Sequence, residues 1–543
     1  MKRLVVVAAA VAVVVSGTVA AGSPAERADA RAGAPAAGPG IAWRDCPGLM
    51  TGRAECAQIE VPLDHRKPHG KKIHVGISIY RATDRANYKG VLLTNPGGVS
   101  ASGLLNSMAM HNWLAGRGFP ELAAQYDMIG MDPRGVETLD FNPIAEEPGP
   151  PIEGDTDPVL SCDKGHKKPP LPDYTPSSAA EERAWIARSK KYADDCAKKY
   201  GWLLPHMGTV DHAHDIDVVR RALGVEKINY YGFSHATHLG AAYATLFPNR
   251  IDRMIWDGVS DPRTLGYKAM LEQSRLIERN IGFWYEWAAK WDSVYRLGKT
   301  RREVEATYWR VRDQLKKQPI QGRYGPDELD DYVLNTGMST TVWVENTQAL
   351  ADWVHKQDAT WLLDNMHPGA DDSPFAVRNA ADAVDTRWPR DWKTWHDDAV
   401  RMHEKGYRSI TWSNVWHHAP IAFWPVRGGS SPLELKDRGL PGFLLIHGSL
   451  DGVFPVEGAF AMHRRFPSSR LLLEVGGKSH ANSLNGNKCV DGVVAAYLGD
   501  GTLPGNRPGA DAGCEADPAI NDPDPNATEP ETTRATSAAR TPR

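Results

Sequence analysis

One short stretch constrains the fold more than any other. The chain runs from an apolar, aromatic segment, Lys227-Ile-Asn-Tyr-Tyr231, through Gly232-Phe-Ser-His-Ala236 into a helix-forming run from Thr237 to Leu246. A strand that turns sharply into a helix lifts the residue at the turn clear of the sheet, and small neighbours let the turn close without clashes. Gly232 and Ala236 are those small neighbours, and Ser234 is the residue lifted. The usual pattern for such a turn is G-x-S-x-G, with Ala236 here in the place of the last glycine. The alternative for Ser234 is an ordinary helix-capping serine.

The same alternation recurs along the chain and predicts a mainly parallel sheet covered by helices. Gly90-Val-Leu-Leu-Thr-Asn95 reads as a strand closed by Pro96-Gly97-Gly98, and Tyr126 to Met131 as another closed by Asp132-Pro-Arg-Gly135. A helix over Ala213 to Leu223 precedes the serine turn; strands follow at Arg253–Asp257, Gly442–His447 and Arg470–Val475. Between 263 and 430 strand-like runs vanish, charges alternate and Trp is frequent (Trp284, Trp287, Trp291, Trp309, Trp343, Trp353, Trp361). That segment reads as a helical insertion whose aromatic residues pack between helices. The expected organisation is a first core part over 41–262, a helical cap over 263–430 and a second core part over 431–504. Ala145 to Tyr200 forms a further excursion, Pro-rich in its first half.

The ends are not core. Lys2 and Arg3 precede an apolar run from Leu4 to Val15 that breaks at Ser16-Gly17 and continues in small residues to Ala21. That is the layout of a cleaved secretory signal over 1–21, and the run is shorter than the ~20 residues of a membrane span. Residues 22–40 and 505–543 are rich in Ala, Gly, Pro and Asp and are expected to be largely disordered. A secreted protein that keeps no membrane anchor after signal cleavage is expected. Export favours pairing of the six cysteines, Cys46, Cys56, Cys162, Cys196, Cys489 and Cys514. Fifteen connectivities are open; pairing of nearest neighbours is expected. A net charge of −4 with no basic block excludes nucleic acid as a natural partner.

A serine hydroxyl attacks only when a base takes its proton, and the base needs a carboxylate to orient it. Where the nucleophile sits on such a turn, the partners follow in the order acid, then His. Asp451 follows one late strand in His447-Gly-Ser-Leu-Asp451, and His480 follows the next in Gly476-Gly-Lys-Ser-His480. Asp257, at the end of the strand after the turn, is the alternative acid. His235 and His238 lie nearer Ser234 in sequence, but on the turn and its own helix. Asp211-His-Ala-His-Asp215 has the residue types of a metal cluster but opens a helix, where acidic residues suit the dipole. No metal or other cofactor is implied. An oxyanion needs preorganised backbone donors; the amides of His235 and of Gly98 are the candidates.

With these residues in place the chain resembles the secreted tripeptidyl aminopeptidases, relatives of proline iminopeptidase, from about Ile41 to Cys514. The resemblance rests on Glu60-Val-Pro-Leu-Asp64, Asp132-Pro-Arg-Gly-Val136, the serine turn with Leu239 to Pro248, Asp257-Gly-Val-Ser-Asp-Pro262, Tyr295-Arg-Leu-Gly298 and Trp412-Ser-Asn-Val-Trp416. It implies an α/β-hydrolase fold with a helical cap, Ser234, Asp451 and His480 as a triad, and release of tripeptides from free N-termini. The chain departs from the family's G-x-S-Y-G-T turn at His235-Ala236. It departs from N-P-G-G-P-G-G-S-G with Asn95-Pro-Gly-Gly-Val-Ser-Ala-Ser-Gly103. Where relatives carry an acidic residue followed by Cys in the cap and a second Cys near the cap's end, this chain has Asp382-Ala383 and Ile421. Both cysteines of a family disulfide are thus replaced together, and Asp382 takes the position implied to bind the substrate's free amine. Two other readings keep the fold: an esterase, lactonase or amidase acting on a small molecule, and a non-catalytic binding protein.

Overall fold

The computed structural model describes residues 40–46, 53–136, 159–168, 171–365, 372–429 and 433–527. The expected signal over 1–21 lies outside the described residues. The strands are β1 (Arg44–Asp45), β2 (Ala54–Pro62), β3 (Lys72–Tyr80), β4 (Val91–Asn95), β5 (Asp127–Met131), β6 (Ile228–Phe233), β7 (Ile251–Asp257), β8 (Phe443–Gly448), β9 (Ser469–Val475) and β10 (Ala512–Glu515). They form one sheet in the order β1-β2-β3-β5-β4-β6-β7-β8-β9-β10. The pairs among β1, β2, β3 and β5 are antiparallel, and every pair from β5 through β4 to β10 is parallel. Parallel strands are covered on both faces, so their side chains are apolar whichever way they point. Every residue of β5, β6 and β8 is buried, as this requires.

The order of strands places the site. From β4 the chain goes to β5 on one side and then returns to β6 on the other. Strand connections that diverge in this way leave a crevice at the C-terminal ends of the two neighbouring strands. Asn95 aligns with Gly232 across β4 and β6, and Phe233 with Asp257 across β6 and β7. The glycine turn, the serine turn and Asp257 therefore emerge side by side.

The insertion between β7 and β8 divides into two packing groups. Helices Tyr267–Lys290, Arg301–Lys317, Pro326–Met338 and Trp343–Lys356 enclose an aromatic core of their own, including Ile281, Trp284, Trp287, Tyr308, Trp343 and Leu350. Helices Asp372–Asp385, Trp392–Glu404 and Thr411–His418 instead join the main core together with helix Ala179–Tyr200. Their indoles stack: Trp185 on Trp416 with centroids 5.3 Å apart, and Trp416 on Trp392 at 5.1 Å. Most of the Trp side chains are thus packing elements, while Trp361 is 41% exposed. Ala383 and Ile421 are both buried in the main core.

Disulfides join Cys46 to Cys56, Cys162 to Cys196 and Cys489 to Cys514. The expectation of a largely disordered tail from 505 onward needs correction over its described part. Cys514 ties the tail to the helix Lys488–Asp500, and β10 adds in parallel to β9, with Ala512 opposite Leu472. A short helix, Pro518–Asn521, follows. Ordering here comes from covalent attachment and main-chain pairing, so few large apolar residues are needed.

Candidate active site

Two walls face each other at the strand ends. The nucleophile wall, named for the role expected of Ser234, is built by β4 and β6. Ser234 has φ 57° and ψ −126°, a conformation that non-glycine residues rarely adopt and that persists only where the surroundings enforce it. Its N–H donates to Asp257 O at 2.8 Å, and its C=O accepts from Thr237 Oγ1 at 2.7 Å. A Cβ on Gly232 would lie 2.6 Å from the Tyr230 ring and 2.8 Å from Ala236 O, so glycine is required there. Ala236 fits the place of the family glycine: it is buried, and its carbonyl accepts from Tyr230 Oη at 2.8 Å.

The glycine turn presses on this elbow. A Cβ on Gly97 would stand 2.3 Å from Phe233 O and 2.7 Å from Ser234 Cβ. Asn95 Oδ1 accepts from the Gly97 N–H at 3.0 Å, which engages that donor; Gly98 follows with φ 51°. Gly98 and His235 line one cavity of about 20 Å³ with Asn95, Asp132 and His212. The His235 N–H opens the helix His235–Leu246 and has no intrahelical acceptor. A residue that sequence reasoning did not assign braces the turn: Asp132 Oδ1 accepts from Ser102 Oγ at 2.7 Å and from the Gly103 N–H at 3.0 Å. Burial pushes its pKa up to about 7 against those hydrogen bonds. Its neighbour Arg134 is buried in a salt bridge to Asp215 at 2.6 Å, with His65 also on that carboxylate at 2.7 Å. The acidic end of the Asp211–Asp215 run is therefore an ion-pair partner.

The acid–base wall, named for the roles expected of Asp451 and His480, is built by β8 and β9. His480 Nδ1 lies 2.8 Å from Asp451 Oδ2 and 3.0 Å from Oδ1. Asp451 Oδ1 also accepts the N–H groups of Val453 (2.7 Å) and Phe454 (2.9 Å). Burial alone would raise the Asp451 pKa; His480, His447 and the amides hold it below the ordinary carboxylate value. With Nδ1 facing the carboxylate, Nε2 is the free end of the imidazole, and it is buried without a hydrogen-bond partner. The ring edge rests on Gly258, whose Cβ would lie 2.9 Å from His480 Cε1. Gly258 directly follows Asp257, whose carbonyl holds the Ser234 amide, so the two walls meet there.

The Asp257 carboxylate is not the hydrogen-bond partner of the His480 ring. It accepts the N–H groups of Asn482 (3.0 Å) and Ser483 (2.8 Å) and the Ser483 hydroxyl, fixing the loop that follows His480. His238 lies on the elbow helix with its ring 6.0 Å from that of His235. His235 itself is held neutral, its pKa pushed down to about 3 by burial first and by His238 next, with Asp382 opposing. Asp382 Oδ2 accepts from Arg378 Nε at 2.7 Å and lies 3.7 Å from His418 Nε2. The carboxylate expected to meet a substrate amine thus already has a cationic partner.

Fold and sequence together define a class and then a family. Residues 91–307 match the family model described as alpha/beta hydrolase fold, and residues 408–514 match the one described as TAP-like protein. The tripeptidyl aminopeptidase of Streptomyces lividans is 34% identical over 503 residues, covering 90% of this chain and 89% of that one. The serine protease Hip1 of Mycobacterium tuberculosis is 28% identical over 525 residues (91% and 95%). A protein of the same organism named carboxylesterase B is 26% identical over 503 residues (87% and 90%). The protein is an α/β-hydrolase of the serine hydrolase class. Within that class the chain belongs to the tripeptidyl aminopeptidase family, and it is a serine peptidase.

Proposed function

We propose that Ser234, His480 and Asp451 are the catalytic triad and that the enzyme releases short, tripeptide-type fragments from peptide N-termini. The observation that carries this is the His480–Asp451 pair, with Nε2 left unpartnered and the ring against Gly258, the residue after the Asp257 carbonyl that holds the Ser234 amide. In this reading Ser234 Oγ attacks the scissile carbonyl while its proton passes to Nε2, and Asp451 stabilises the imidazolium through Nδ1–H. The oxyanion is held by the amides of His235 and Gly98. His480 then gives its proton to the leaving amine, leaving an ester between Ser234 and the N-terminal fragment. Water, deprotonated by His480, hydrolyses that ester. No residue of this scheme requires a cofactor.

Asp382 is proposed to meet the substrate's free amine, which would share the carboxylate with Arg378. That ion pair also favours a second reading, an esterase or amidase acting on small molecules, because it removes net negative charge from the amine site. Export is inferred from the signal-like N-terminus and supported by the three disulfides. Among the described residues no helix is long and apolar enough to cross a membrane.

The test compares mature protein with Ser234→Ala on tripeptide-linked chromogenic amides, with free and with blocked N-termini, and on an aryl ester. Cleavage confined to free-amine tripeptides and lost in the variant supports the aminopeptidase. Ester turnover without amide cleavage establishes the second reading in its place.

A further inference from the structure

The acid and the base stand on separate loops, joined directly where the Leu450 N–H donates to Gly477 O at 2.9 Å and the Gly476 N–H to Ser449 Oγ at 2.8 Å, and bridged a second time from the cap. Asn280, on the cap helix Tyr267–Lys290, is 1% exposed. Its Nδ2 donates to Leu450 O at 2.9 Å, in the loop before Asp451, and to Lys478 O at 2.9 Å, in the loop before His480. Its Oδ1 accepts from Arg279 Nε at 2.9 Å, which orients the amide with both N–H groups toward the two carbonyls. Arg279 Nη2 donates in turn to Leu450 O and to Asp451 O, each at 2.7 Å. The end of the cap helix Pro326–Met338 and the turn that follows it add to the seat. The Met338 carbonyl accepts the His480 N–H at 2.8 Å, and the Thr340 N–H donates to Ser479 Oγ at 3.1 Å. A Cβ on Gly452 would meet Gly337 O at 2.1 Å, so the acid loop lies flush against the cap.

We infer that Asn280, oriented by Arg279, is a positioning residue for the proposed acyl transfer, holding the Asp451 and His480 loops in register from the cap. The inference rests on the triad reading above. One side chain bridges the two backbones beyond their direct bonds, next to Asp451 and His480 themselves. Withdrawing its donors leaves the Leu450–Gly477 bond to hold the register and lets the loop ends shift relative to each other. The Asp451–His480 hydrogen bond would then survive only as a looser average. Misplacement of a base by about 1 Å costs on the order of 100-fold in rate. The loss falls unequally on substrates. A peptide's leaving amine must receive a proton from His480, whereas an aryl oxide departs without one.

The experiment uses Asn280→Asp, which keeps the shape but sets a carboxylate oxygen against two carbonyls, alongside Asn280→Ala and Arg279→Met in the mature protein. Turnover of a tetrapeptide and of an aryl ester is measured in each, with fluorophosphonate labelling of wild type as the control for the triad. The expected result is a tetrapeptide kcat about 100-fold lower at nearly unchanged KM, with the ester kcat lowered by about tenfold or less. Equal losses on both substrates, or a lowered melting temperature with kcat intact, would overturn the inference and leave Asn280 a packing residue. If the Asn280 variants do not fold, Arg279→Met decides: the same bias in smaller measure supports positioning, and an unaltered amide-to-ester ratio refutes it. An unlabelled, inert wild type would instead bring down the triad reading and this inference with it.

Discussion

The two walls of the site are held in place by different means. The nucleophile wall is made rigid from within the core. Gly232 and Gly97 sit where a single added carbon would meet backbone or ring atoms, Ser234 is locked at positive φ, and Asp132 ties down the turn after β4. The acid–base wall has its own loop-to-loop bonds but is held in addition from outside the sheet, by Asn280, Arg279, Met338 and Thr340 of the cap. The lesson is that the proposed nucleophile is fixed by local backbone geometry, whereas the geometry of its proposed base depends in part on a segment inserted between the strands. In such an arrangement a change in the first packing group of the cap reaches the chemistry directly. A change in the second group, Asp372–His418, bears instead on the amine site proposed at Asp382.

Substitutions can break or sharpen that contrast. The largest effect is expected for Ser234→Ala, with peptide turnover falling by about 10⁴-fold or more, as measured by kcat under saturating substrate. Folding should be unaffected, since alanine relieves no contact the elbow needs. Asp451→Asn against Asp257→Asn comes next. The first should cost on the order of 10⁴-fold by spoiling the orientation of His480. The second weakens only the anchoring of Asn482 and Ser483 and should cost about tenfold. Equal losses would mean that the acid has been assigned to the wrong strand.

Gly97→Ala sharpens the contrast on the other wall. Its methyl would sit 2.3 Å from Phe233 O, so the turn must move off the elbow. We expect kcat to fall about 100-fold with a lower melting temperature, a coupled loss that a loosened acid–base wall does not require. The smallest effect is on pH dependence. Asp132 has its folded pKa raised to about 7 by burial, so the folded state binds its proton more tightly than the unfolded chain. Its contribution to stability is full below the ordinary carboxylate range and is lost as pH rises through about 7. Melting temperature should therefore decline less steeply between pH 5 and about 8 in Asp132→Asn than in wild type. Parallel pH curves would show that Asp132 is already ionised in the native protein.

Much of this was legible in the sequence, and the remainder was hidden for physical reasons. Strands buried on both faces read as continuous apolar runs, so β4 to β9 could be placed to within a few residues. The elbow and the loops after β8 and β9 carry their chemistry in local order. By contrast, Ala512-Gly-Cys-Glu515 has no apolar signature and becomes a strand through pairing with β9 and its disulfide. The division of the insertion into two groups leaves no mark in composition, since both halves are rich in Trp and charge. The contacts of Asn280 span 170 and 198 residues, a separation no periodicity reports. The pairing of Asp382 with Arg378 was within reach: the two are four apart on one helix.

Ser234 as the nucleophile that His480 activates is the central proposal. The direct measurement is reaction of the mature protein with a fluorophosphonate, followed by mass spectrometry of the intact chain and of its peptides, beside Ser234→Ala and His480→Ala. A single adduct on Ser234 in wild type, absent from the first variant and formed far more slowly in the second, is the predicted result. No adduct, or one on another residue, would contradict it.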